Sequence, residues 1–168
     1  MKPKLLHLLI LTGLLIAVCP GKLMAQQTEE QLGAQYYNNR ELDKALATFE
    51  VLFSKNPSQF NYLYYINTLF ELKDFDKAEK IIKKQLKANP NDPRYQVDLG
   101  YLFIMQGEIT KGRKIYENCL KDLQPDKMQI YNLSYAFSNR RETDYVIRTY
   151  LRGRAVLNDH SAFAFELA

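Results

Sequence analysis

Three observations on this 168-residue chain predict an all-α fold, a solenoid of helix–turn–helix pairs stacked in line. Apolar residues recur at helical spacing. On 41–54, Leu42, Ala45, Leu46, Phe49, Leu52 and Phe53 share one face of a 3.6-residue period. Asn56-Pro57, Asn89-Pro90 and Gln124-Pro125 interrupt that pattern, because the residue before proline is driven out of the helical region. Three slots also return in a fixed register: Leu32, Tyr65, Leu99, Leu133; then Ala45, Ala78, Gly112, Val146; then Phe49, Ile82, Tyr116, Tyr150. Each series steps by 33, 34 and 34 residues, the mark of a repeat array whose units bury their faces only by stacking.

In order, the first pair is expected at about 28–39 and 41–54. The second runs at about 58–72 and 75–88, with Lys73-Asp74 between its helices. Asn89 to Pro93 then forms a stop, a turn and a new start, with Asp92 as N-cap and Pro93 at the first helical position. The third pair covers about 93–105 and 108–123, with Gly107 at its tight turn. The fourth covers about 127–138 and 142–156 around the turn Asn139-Arg140-Arg141. The units divide as 26–58, 59–92, 93–126 and 127–159. One further step of 34 lands on Leu167-Ala168, so 160–168 read as the start of a fifth, truncated unit, and the chain is expected to continue beyond it.

Residues 1–25 read as a secretory signal peptide. Lys2 and Lys4 precede an apolar stretch from Leu5 to Val18, Pro20-Gly21 ends it, and Ala25 offers a cleavage site. The stretch is shorter than the ~20 residues that span a bilayer. Lipidation at Cys19 remains an alternative, although Val18 stands where such signals carry Gly, Ala or Ser. The expected location is therefore the periplasm or cell envelope of a bacterium, with membrane contact only through a lipidated Cys19 or an uncleaved leader.

Composition is that of an ordinary globular protein, 46% apolar and 25% charged. The net charge of +4 falls to +1 once the three leader lysines are removed, leaving 20 bases against 19 acids. A nearly neutral body supplies no footprint for nucleic acid. Cys119 stands alone in the body and is read as a small core residue, so no disulfide framework exists within the body.

Leu32-Gly33, Tyr36, Ala45, Phe49 and Pro57, with the slots above, resemble the tetratricopeptide repeat, a helix–turn–helix unit of about 34 residues. The resemblance covers about 26–168. It implies a right-handed superhelix whose first (A) helices line a concave groove that receives peptides or partner helices. Small residues after the leucine-like slot (Gly33, Gly100, Ser134) let helices A and B approach. Ile66 in that slot, and Val146 in the small slot of the last B helix, depart from the pattern and predict looser packing in the second and fourth units.

Carried over by register, the groove residues are Tyr37, Asn38, Tyr64, Asn67, Arg94, Tyr101, Tyr131, Asn132 and Tyr135, with Val97, Asp98, Ile104 and Met105 on the same projected face. Tyrosine combines apolar area with a hydroxyl, as interfaces favour, and asparagine can hold a peptide backbone. Tyr64 and Tyr101 are the two expected to be open to a ligand. The clamp that some of these domains use on a C-terminal carboxylate is not expected, since the matching positions hold Glu30, Ala34, Tyr64, Arg94 and Asp98.

No catalytic motif is present, and the single body histidine, His160, reads as a surface residue at a helix start. No enzyme activity, cofactor, metal or small-molecule substrate is expected. The leading expectation is a protein-interaction scaffold. The alternatives are the sensor or docking region of a longer signalling kinase or peptidase, and an envelope assembly lipoprotein.

Overall fold

A computed structural model describes residues 28–168; the expected leader at 1–25 lies outside them, as do Gln26 and Gln27. Among the described residues there are eight α-helices and no strand: α1 Glu29–Asn38, α2 Leu42–Lys55, α3 Gln59–Leu72, α4 Phe75–Ala88, α5 Pro93–Met105, α6 Ile109–Lys121, α7 Lys127–Asn139 and α8 Thr143–Leu157. Apart from α6 and α7, each helix packs on the next in sequence, and α1 meets α3, α5 meets α7 and α6 meets α8. This is the arrangement of an α-helical solenoid of stacked helix pairs, with α1, α3, α5 and α7 as the first (A) helices.

Local chemistry starts every A helix. Thr28 and Gln31 form a reciprocal capping box, with Thr28 Oγ1 accepting from the Gln31 N–H at 3.1 Å and Gln31 Oε1 accepting from the Thr28 N–H at 3.0 Å. Ser58, Asp92 and Asp126 cap α3, α5 and α7 in turn. Each such cap contributes ~1 kcal/mol.

The four A–B turns share one geometry. The N–H groups of Glu41, Asp74, Glu108 and Glu142 donate to the carbonyls of Tyr36, Leu69, Phe103 and Phe137 at 2.9, 2.9, 2.8 and 3.1 Å, the long bond of a Schellman motif. The residue before each of those donors is left-handed: Arg40 (φ 64°), Lys73 (φ 57°), Gly107 (φ 86°) and Arg141 (φ 58°). Glycine takes this slot once. In the other three turns a cation sits at the C-terminal end of an A helix, where the helix dipole favours positive charge.

The register slots face inward. Ala45, Phe49, Ala78, Ile82 and Tyr116 are fully buried, and Gly112 and Leu133 are buried with them. One core cluster fills the space from α1 to α5 around Phe49, Ile66 and Ile82, and a second runs from α5 to α8 around Tyr116, Ile130 and Phe137. In the third unit both small slots are glycine. A Cβ added at Gly112 would lie 2.4 Å from the Gly100 carbonyl, so α5 and α6 approach closer than any side chain allows. Ile66 fills the matching slot of the second unit, and α3 and α4 make the least extensive contact of the four pairs, as expected. The fourth unit differs from that expectation: α7 and α8 pack as extensively as α1 and α2, with Val146 half-buried and a glycine, Gly153, where a Cβ would meet Ile130 of α7 at 2.9 Å.

Residues 160–167 form successive turns and no helix. Asp159 Oδ1 accepts from the N–H groups of Ser161 and Ala162, as a cap does, but Phe163 turns left-handed (φ 58°) and folds back into the second core. Phe165 is left almost wholly exposed.

Candidate functional site

A row of three pockets, the channel, lies along the A helices. At the end where those helices terminate lies a cleft of about 390 Å³ lined by Tyr37, Asn67, Phe70, Glu71, Lys73, Tyr101, Met105, Asn139, Arg140 and Arg141. At the other end a depression of about 470 Å³ is lined by Gln59, Asn132, Tyr135 and the Asn89–Arg94 turn. Between them lies a narrow void, the neck, of about 10 Å³, sharing Gln59 and Arg94 with the depression and Asn139 with the cleft. From Arg94 to Met105 the channel follows α5 for ~16 Å at 1.5 Å per residue.

The cleft is held open by a polar network spanning three units. Arg140, the residue after α7, reaches across to α5 and α3. Its Nε donates to Asp98 Oδ1 at 2.6 Å and its Nη1 donates to Asn67 Oδ1 at 2.5 Å. The Tyr62 hydroxyl donates to the other Asp98 oxygen at 2.7 Å. The guanidinium carbon lies 4.9 Å from the Phe70 ring centroid and 5.3 Å from that of Tyr101, within cation–π range of both. Burial works against the Arg140 charge, but the Asp98 carboxylate outweighs it and holds the guanidinium protonated. The Tyr62 phenol is pushed well up, first by burial and then by Asp98.

At the cleft's rim, Arg40 pairs with Glu71 at 3.1 Å across the first A–B turn. The Tyr37 phenol is pushed up by burial, with Glu71 adding to the shift.

Of the nine groove residues expected from register, Tyr37, Asn67 and Tyr101 line the cleft, and Arg94, Asn132 and Tyr135 line the depression. Tyr64 is placed elsewhere. Its ring stacks on Phe49 at 4.9 Å and takes the edge of Tyr37 at 5.5 Å, so it packs between α2 and α3. Tyr131 donates to Glu166 at 2.8 Å and packs on Phe163, which occupies it with the C-terminal turns. Asn38 is exposed and lines none of these pockets. Val97, projected onto the groove face, is fully buried in the second core.

Arg140 was missed by register, where it reads as a turn residue. Only the pair Arg140-Arg141, in the place of Asn39-Arg40 and Gln106-Gly107, set it apart.

Among the described residues, no three His, Cys, Asp or Glu side chains cluster to hold a metal ion, and no helix is long and apolar enough to cross a membrane.

The family profile described as tetratricopeptide repeat matches residues 36–99, from the last turn of α1 into α5. A stretch of 97 residues, 58% of this chain, is 29% identical to the pre-mRNA-splicing factor CLF1 of Kluyveromyces lactis, of which it spans 14%.

Proposed function

We propose that this chain is a binding scaffold that holds an extended segment of a partner protein along its A-helix channel. Tetratricopeptide repeats generally mediate protein–protein contact, and residues 36–99 match that family. The observation that supports the channel as the place of binding is its alignment: the neck shares residues with both cleft and depression, and the three combine aromatic walls with amides. Binding is preorganised, since the Arg140 network already fixes the wall positions before a ligand arrives. No catalytic step belongs to this reading.

The leader, with Lys2 and Lys4 before an apolar stretch, supports a bacterial envelope or secreted location. The splicing role in the name of the yeast relative is not carried over, because the similarity spans a small part of that protein and the leader favours export.

Site-specific crosslinking tests the channel. A photoreactive residue replaces Tyr135 or Met105 in the channel, or Lys83 or Arg152 on the outer B-helix face, in cells that make the protein. Adducts confined to the channel positions support the reading; adducts confined to the outer positions overturn it.

A further inference from the structure

The cleft contains a charged group whose bonding is incomplete. A guanidinium carries five N–H donors. Arg140 commits Nε–H to Asp98 and one Nη1–H to Asn67, while its Nη2 is buried without a hydrogen-bond partner among the described residues. The Arg140 side chain is 4% exposed, so water reaches that nitrogen poorly. A buried, unsatisfied donor on a charged group is costly to leave unmade, and such groups in folded proteins call for an explanation. Arg140 also lines an open cleft large enough for a side chain and its flanking backbone.

The charge of the lining points to an anion. Asp98 already pairs with Arg140 and Arg40 with Glu71, which leaves Lys73 and Arg141 as the lining cations without a carboxylate partner among the described residues. With its oxygen turned to Arg140, the Asn67 amide leaves its nitrogen as a further donor on the same wall. The Phe70 and Tyr101 rings flank the buried guanidinium, so the cations exposed in the cleft are Lys73 and Arg141.

We propose that the cleft seats the side-chain carboxylate of a glutamate in the partner segment, received by the exposed Lys73 and Arg141 and drawn toward the buried, unpartnered Nη2 of Arg140. Planar, charge-assisted recognition of a carboxylate is what a guanidinium does best. A glutamate places its charge at the tip of two methylenes, which reach into the cleft while the backbone follows the channel toward the neck. This inference rests on the channel reading and gives that reading a sequence preference.

The test is selection of a random peptide library, fused at its C-terminus so that no free terminal carboxylate is present, on the full 168-residue chain. The expected result is glutamate at one fixed position of the enriched peptides. Glu→Gln at that position should weaken binding by at least tenfold. The rim double variant Lys73→Gln/Arg141→Gln, which leaves the buried network intact, should bind the glutamate peptide several-fold more weakly and the glutamine peptide unchanged. Enriched peptides without a fixed acid, or indifference to Glu→Gln, overturn the carboxylate site while leaving the channel reading standing. Enrichment only from a second library with free C-termini assigns the cleft to a chain terminus and also overturns it. No enrichment from either library removes both readings.

Discussion

Arg140 and Asp98, 42 residues apart in sequence, meet with Nε 2.6 Å from Oδ1, their side chains 4% and 6% exposed. Breaking such a pair from one side leaves an uncompensated buried charge, which costs ~3–5 kcal/mol. Asp98→Ala is therefore expected to lower stability by that amount. The double variant Asp98→Asn/Arg140→Met, which removes both charges, should recover most of it. Urea denaturation midpoints measure both, and a loss below ~1 kcal/mol for Asp98→Ala would place the pair among surface-like ion pairs instead.

The seam between α5 and α6 gives the sharpest packing prediction. A Cβ at Gly112 would meet the Gly100 carbonyl oxygen at 2.4 Å, an atom that cannot move without moving the helix. Gly112→Ala should destabilise by ~1–3 kcal/mol, as overpacking does. Ala78→Gly, at the same slot in the second unit, tests the opposite case: no helix needs to come closer there, so the loss of helix propensity and of one fully buried methyl, ~1–2 kcal/mol together, is expected. Thermal unfolding of the two variants separates the effects.

The left-handed slot of the A–B turns predicts opposite signs for two substitutions. Lys73 sits at φ 57° and Gly107 at φ 86° with open space around its Cα. Gly107→Ala should cost ~1 kcal/mol through backbone strain alone. Lys73→Gly should gain up to ~1 kcal/mol by relieving that strain. Equilibrium unfolding checks the pair, and a destabilised Lys73→Gly would show that the cation's attraction to the helix end outweighs its backbone strain.

Burial, with Asp122 adding to it, pushes the Cys119 thiol up to about 12. At pH 8 its thiolate fraction is then on the order of a thousandfold below that of a free cysteine. Iodoacetamide should label the folded Cys19→Ser variant, in which Cys119 is the one remaining thiol, far more slowly than the same protein in urea. Equal rates would show that Cys119 lies open on α6.

The helices and their register were legible because they rest on short-range chemistry. Leu42 through Phe53 reveal a helix by spacing alone, and Asp92-Pro93 mark a start through a cap and a fixed φ. The fate of individual groove residues was less legible. Tyr37, Asn67, Arg94, Tyr101, Asn132 and Tyr135 reach the channel, but Tyr64 occupies an equivalent face and is claimed by Phe49. Which tyrosine faces a ligand depends on the size of its neighbour on another helix, and register does not carry that.

The amino-acid sequence by itself determined an all-helical repeat array, its helix starts and stops and the small and large slots that stack it. Those features depend on residues within one or two turns of each other or on a strict period. The tertiary structure alone decided that Arg140, read as part of a turn, is the centre of the cleft. Its partners Asn67 and Asp98 lie 73 and 42 residues away, and only the stacking of three units brings them within hydrogen-bond distance.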